Sequence, residues 1–88
     1  MSWACEFAPD ATKDIRNLPK AIQNRVARVL GQMAGDPFQG DVKALQGETW
    51  KGVYRRRIGD YRILFTADHE KEVVLVLRIL MRSGRTYR

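Results

Sequence analysis

At 88 residues the chain can enclose one modest core and has no room for a second lobe. Its 44% apolar and 30% charged residues are ordinary for a globular protein, and no apolar run approaches the ~18–20 residues that span a bilayer. The formal net charge of +6 lies entirely in the second half: residues 1–42 hold five Lys/Arg and five Asp/Glu, whereas residues 43–88 hold eleven and five. Most of those eleven cations are arginines, whose planar fork suits phosphate better than a point charge does. Either this half carries a solvated, solubilising face, or it meets a polyanion. Nucleic acid comes ahead of membrane, because no basic amphipathic helix accompanies the charge.

There is no repeat, low-complexity segment or linker, so residues 1–88 read as a single domain. The start, Met1 to Glu6, lacks the basic and apolar regions of a signal peptide, which makes the cytoplasm the expected location. Trp3 to Phe7 is short, apolar and aromatic and predicts a first strand. The lone Cys5 within it has no partner for an internal disulfide or a Cys-based metal site and reads as an ordinary strand residue. Pro9-Asp10 opens a short helix with Ala11, Ile15 and Leu18 at helical spacing. Pro19 cannot continue that helix but suits the first turn of the next. There Ile22, Val26, Val29, Leu30 and Met33 form one apolar stripe, with Gln23, Asn24, Arg25 and Arg28 mostly off it, which predicts packing on a sheet. Gly35-Asp36-Pro37 stops this helix.

Phe38 to Glu48 reads as a loop, followed by three strands: Thr49 to Ile58, Tyr61 to Ala67, and Glu72 to about Leu80. The order β-α-α-β-β-β, with tight connections late in the chain, predicts an α+β fold in which an antiparallel sheet packs against an N-terminal helical hairpin. Beyond Met81 the tail Arg82 to Arg88 is basic and too short for another helix.

Gly59-Asp60 is a two-residue turn signal with Gly where a type II′ hairpin wants it. Ile58 then faces Tyr61, and Tyr54 pairs with Phe65 on an aromatic-aliphatic face suited to the core. Trp50 shares that parity and reads as core. Arg56 is the misfit on that face, expected to snorkel at an edge. The opposite face carries Lys51, Val53, Arg55 and Arg57 on one strand, Arg62 and Leu64 on the other. Arg57 falls directly opposite Arg62, an arrangement that costs up to about 1 kcal/mol. A sequence selected only for folding would place a carboxylate at one of the two positions. Arginines converging here make sense if an anion sits among them; otherwise they fan into water.

No familiar catalytic constellation serves such an anion. His69 is the only histidine and reads as a solvated turn residue, which excludes a two-histidine nuclease. Asp68, Glu70 and Glu72 are more simply a charged hairpin tip than a metal site, so neither metal nor cofactor is expected. A phosphate-cradling glycine loop and a nucleophile elbow are also missing from the sequence. Cleavage of a phosphodiester would have to rely on cations that stabilise a phosphorane and on a tyrosine or arginine that moves protons.

The stretch Tyr54-Arg55-Arg56-Arg57-Ile58-Gly59-Asp60-Tyr61-Arg62-Ile63-Leu64-Phe65 resembles the central hairpin of RelE-type toxins of the RelE/ParE superfamily. So do Phe7-x-Pro9-x-Ala11-x-Lys13-Asp14 with Leu18-Pro19, Asp36-Pro37 with Lys43-x-Leu45-x-Gly47, and the ending from Val74 through Arg78 to Arg82, Tyr87 and Arg88. The resemblance covers essentially the whole chain in order. It implies the toxin of a type II toxin–antitoxin system, a ribosome-dependent endoribonuclease that cuts mRNA in the A site. The RNA 2′-hydroxyl would attack the adjacent phosphate, leaving a 2′,3′-cyclic phosphate and a 5′-hydroxyl. Carried over by position, Arg62 would stabilise the phosphorane and Arg82 would bind phosphate or assist the leaving oxygen. Tyr87 would act as general base or orient the 2′-hydroxyl, a task for which its pKa of about 10 must be lowered by cations. Arg55 and Arg57 would hold or activate the phosphate, with Lys51, Arg85 and Arg88 adding RNA contacts. Many relatives have a His before the arginine matching Arg82; here it is Met81, a thioether that moves no protons. The implied partners are a cognate antitoxin with an acidic and apolar segment, the ribosome with its mRNA, and operator DNA bound through the antitoxin, but no membrane. The other branch implied is a ParE-type toxin of the same fold that inhibits DNA gyrase without a catalytic set.

Overall fold

The structure, a computed structural model, describes residues 2–81. It begins with a strand, β1 (Ala4–Phe7), and two helices, α1 (Pro9–Arg16) and α2 (Lys20–Gly35). Ala11 of α1 and Val26 and Met33 of α2 are at most 1% exposed, and Ile15, Leu18, Ile22, Val29 and Leu30 pack around them, so the expected stripe is the buried one. Pro19 caps α2, and its carbonyl accepts from the amides of Ile22 and Gln23, both at 2.9 Å. The Gln23 side chain reaches back to donate to the carbonyls of Ile15 (2.8 Å) and Leu18 (3.2 Å). It thereby satisfies groups that the end of a helix leaves open, and joins the two helices.

The rest of the described chain forms β2 (Val42–Ala44), a 3-10 turn (Glu48–Trp50), β3 (Tyr54–Ile58), β4 (Tyr61–Asp68) and β5 (Val73–Met81). The sheet has five strands in the order β1-β5-β4-β3-β2. It differs from the sequence expectation in two ways. β1 lies parallel to β5, so the sheet is mixed rather than wholly antiparallel. A parallel pair needs a long crossover, which the chain supplies by way of α1, α2 and the antiparallel strands that follow. Second, the expected loop contains the short strand β2, antiparallel to β3 with Lys43 opposite Arg55.

The turn between β3 and β4 is as expected: Gly59 has φ +54, while Asp60 is not among the residues with positive φ, which is the type II′ pattern rather than type I′. The pairs Ile58–Tyr61, Arg57–Arg62 and Tyr54–Phe65 follow. Ile58, Ile63 and Phe65 face the helices and are buried. On β5 strict alternation from Val74 and Val76 would send the cation Arg78 into this core. A bulge prevents it: Phe65 pairs with Val76 but Leu64 pairs with Arg78, so Leu77 is the extra residue and Ile79 takes the inner position, 3% exposed.

Arg78 is used instead to fasten α1. Its Nε and Nη2 donate to the Asp14 carboxylate at 2.8 and 3.2 Å, and the Ile79 amide donates to the same carboxylate at 2.9 Å. The Asp14 hydrogen bond, with the charges of Asp14 and Asp10, raises the Arg78 pKa against the opposing effect of burial. Asp14→Ala removes three bonds at once and strands an amide beside the bulge. It should cost about 2 kcal/mol in urea unfolding, toward the lower end of the range for charged hydrogen bonds because Arg78 is half in solvent. Asp14→Asn, which keeps the acceptor for Ile79, should cost less.

Three ring placements differ from the sequence expectation. Phe38 leaves the loop to pack edge-on against Tyr54 (ring centroids 4.9 Å apart) and near Phe65 (6.3 Å). His69 is in the exposed turn, yet its ring stacks on Phe38 at 5.6 Å and meets Trp3 edge-on at 5.4 Å, so it closes an aromatic cluster rather than standing free in water. Trp50, expected in the core, is half-buried outside it. Strand β3 starts at Tyr54, not Thr49, and Gly52 with φ +81 breaks the alternation before it, so Trp50 does not share the parity of Tyr54.

Candidate functional site

The sheet face away from the helices gathers the cations. Arg57 and Arg62 are direct cross-strand partners, and Arg55 and Lys43 form the next pair outward between β3 and β2. Leu64, between the inward-facing Ile63 and Phe65, lies opposite Arg55 on this face and is 1% exposed. Like charges facing each other across strands oppose folding, and four cations on neighbouring positions of three strands are not explained by packing.

One carboxylate is set against them. Asp41, just before β2, accepts from Arg55 Nη1 at 3.2 Å and lies 3.8 Å from Arg57 Nε. Its backbone carbonyl also accepts from Arg55 Nη1 (3.3 Å) and from the Arg57 amide (3.0 Å). The Arg55 hydrogen bond chiefly, helped by the charges of Arg55, Arg57 and Lys43, holds the Asp41 carboxyl below its ordinary value against the opposing effect of burial. Arg55 is therefore locked: 7% exposed and bound through both side chain and backbone of Asp41. Arg57 is looser, since 3.8 Å is beyond hydrogen-bond length and its Nε, though shielded from solvent, makes no hydrogen bond. An anion arriving at this face would meet Arg57 and Arg62 first, with Arg55 behind them.

Because the folded Asp41 has a lowered pKa, its contribution is present above the unfolded-state value of about 4 and is lost as pH falls through the lower folded value. Asp41→Asn should thus be less stable than the parent in urea at pH 7. The gap should close below about pH 4, and a gap independent of pH would contradict the ion pair.

Arg56, on the opposite side of β3, is partly buried; its Nη1 donates to the Arg57 carbonyl at 2.8 Å and its guanidinium lies over Gly40. A Cβ at Gly40 (φ +89) would stand 2.8 Å from that guanidinium, so this glycine makes the room. Arg56 is tucked in rather than extended to an edge.

Of the residues singled out from sequence, Arg55, Arg57 and Arg62 come together. Lys51 is exposed in the turn before β3, bonded by its amide to the Glu48 carbonyl at 3.3 Å, so strand alternation does not place it on the face. Arg82, Arg85, Tyr87 and Arg88 lie outside the described residues. Sequence reasoning missed Asp41, whose only signal is a carboxylate next to a short strand hidden in a loop. It also missed a shallow cavity of about 190 Å³ beside Arg62, walled by Leu45, Gln46 and Trp50. Among the described residues no cluster of His, Cys, Asp or Glu could hold a metal ion, and no helix is long and apolar enough to cross a membrane.

Comparison with known proteins identifies the family. The family model described as "ParE toxin of type II toxin-antitoxin system, parDE" matches residues 5–85. Toxin RelG of Mycobacterium tuberculosis is 30% identical over 84 residues, 94% of each chain. The crystal structure of the RelBE2 toxin–antitoxin complex from the same organism is matched with a TM-score of 0.83 at 29% identity, covering 93% of this chain and 100% of that one. The RelE–RelB complex of Pyrococcus horikoshii is matched at 0.81 and 26% identity, covering 96% and 99%. The chain belongs to the RelE/ParE superfamily and is a RelE-like toxin of a type II toxin–antitoxin system.

Proposed function

We propose that this toxin is a RelE-type endoribonuclease that cuts mRNA in the ribosomal A site without a metal ion, by attack of the 2′-hydroxyl on the adjacent phosphate. The observation that carries this reading is the Arg57–Arg62 pair on the helix-free face, a destabilising arrangement that an RNA phosphate turns into a binding site. Bond by bond, the 2′-oxygen bonds to phosphorus, the phosphorus–5′-oxygen bond breaks, the 2′-hydroxyl proton leaves to a base, and the departing 5′-oxygen gains a proton. Arg62 and Arg57 stabilise the charge that grows on the phosphorane oxygens, where fixed donors contribute most. Arg55, held by Asp41, adds a positive field from behind. Tyr87 receives or orients the 2′-hydroxyl proton, Arg82 assists the leaving oxygen, and Lys51, Arg85 and Arg88 bind RNA. With Met81 in the position where many relatives have His, no imidazole shares the proton work.

Relatives named RelG and RelE support this branch. The crystal structures of relatives as toxin–antitoxin complexes support a cognate antitoxin as partner; binding of operator DNA through that antitoxin is part of the same proposal. The family model named for ParE favours the other branch, inhibition of DNA gyrase. Inducing the toxin alone in cells and mapping mRNA 5′ ends separates them. Cuts within translated codons, suppressed by co-expression of a cognate antitoxin, are expected; uncut mRNA with purified gyrase inhibited would replace this reading with the ParE-type one.

A further inference from the structure

Trp50 sits outside the main core cluster, on a turn whose backbone two glycines make possible. The 3-10 turn that carries it is entered through Gly47 (φ +95, ψ +159), a conformation essentially restricted to glycine, and left through Gly52 (φ +81). Backbone bonds close the loop: the Trp50 amide to the Gly47 carbonyl (3.2 Å), the Val53 amide to the Trp50 carbonyl (2.9 Å), and the Leu45 amide to the Val53 carbonyl (2.9 Å). The result is a fixed turn whose indole is half-buried, outside the main cluster, and shares a cavity of about 190 Å³ with Arg62, Leu45 and the exposed amide side chain of Gln46. An aromatic face, an apolar wall, a hydrogen-bonding amide and a phosphate-binding guanidinium in one small cavity are the components of a nucleotide subsite. Single-stranded RNA is gripped by stacking its bases on aromatic rings and reading their edges with polar side chains.

We propose, building on the RNA-cleaving function above, that Trp50 is the stacking platform for one nucleobase flanking the cleaved phosphate. With the phosphate on Arg57 and Arg62 and the base on Trp50, the ribose between them is held at both ends. The 2′-hydroxyl then approaches in line with the leaving oxygen, the kind of orientation that raises rate as well as affinity.

The test is single-turnover cleavage of A-site mRNA on saturated ribosomes by the parent, Trp50→Leu and Trp50→Phe. The substrates are the intact message and two messages made abasic on either side of the cleaved bond. Trp50→Leu should lose roughly 5–150-fold on intact mRNA, the span of one base–aromatic stack, while Trp50→Phe keeps most of the rate. On one of the two abasic messages the parent should fall to the Trp50→Leu rate and the two proteins should become equal. Thermal unfolding of both variants accompanies the assay, and the abasic comparison removes any general damage because each protein is its own reference. Two results would overturn the base platform and leave the nuclease intact: Trp50→Leu cleaving intact mRNA at the parental rate, or its deficit persisting in full on both abasic messages. A parent that cuts none of the messages would instead overturn the nuclease reading itself.

Discussion

Arg62→Ala should abolish mRNA cleavage and growth arrest while leaving the protein as stable as the parent or more so. Arg62 faces Arg57 across the β3–β4 hairpin, and removing one of two like charges in direct register returns a fraction of a kcal/mol to about 1 kcal/mol. Loss of one fixed donor to a developing oxyanion costs about 10²–10³-fold in rate, and here the lost donor is a full cation. Arg62→Lys keeps the charge without the two-pronged fork and should recover only part of that loss. Arg57→Ala should slow cleavage similarly, and it also gives up the 3.8 Å approach to Asp41, which offsets the relief of repulsion. Urea unfolding beside single-turnover cleavage on ribosomes checks both quantities. An Arg62→Ala protein that is inactive because it no longer folds would make Arg62 a structural residue.

That pairing was legible because it depends on local chemistry. A two-residue turn beginning with glycine sets the register of the strands it joins, and the period of two carries the assignment outward to Tyr54 and Phe65. The apolar stripe of α2 was legible for the same reason: helical spacing is a property of neighbours in sequence. What alternation cannot carry is direction, partner or interruption. Nothing in Trp3 to Phe7 says that its neighbour is β5, or that the two run parallel, because that pairing is made by residues about 70 positions apart. Gly52 breaks the count between Trp50 and Tyr54, so the indole moved from the expected core to the cavity beside Arg62. The bulge at Leu77 reverses the count within β5, and it does so where Asp14, on a distant helix, supplies the partner for Arg78. Asp41 was silent because β2 has three residues, too few to show a period. The β1 pairing and the β5 bulge are cases of a long-range contact overriding a local pattern, whereas Trp50 and Asp41 are lost to a local break and a short strand, and both of these border the cationic face.

Tyr87→Phe should keep ribosome affinity and lose about 10²–10⁴-fold in cleavage rate, the span for a group that moves a proton in the transition state. The substitution removes one oxygen and retains the ring, so a loss of rate with affinity kept reports on the phenol oxygen. The need for this tyrosine is sharpened by Met81, because a thioether cannot take the part an imidazole would play. His69, the only histidine, is tied up with Phe38 and Trp3 in the aromatic cluster. Arg82→Ala should differ in kind, weakening both affinity and rate, since a phosphate contact positions the RNA as well as stabilising charge. Arg85→Ala and Arg88→Ala should mainly weaken binding and flatten its salt dependence, because each withdraws one counterion-releasing contact from the polyanion. Single-turnover cleavage on saturated ribosomes, set beside affinity titrations at two salt concentrations, distinguishes the three patterns. If Tyr87→Phe cleaves at the parental rate, the phenol is not the base, and the 2′-hydroxyl proton must pass to an arginine or to solvent. A rise in the parental rate with pH that Tyr87→Phe lacks would instead mark the phenolate as the acceptor.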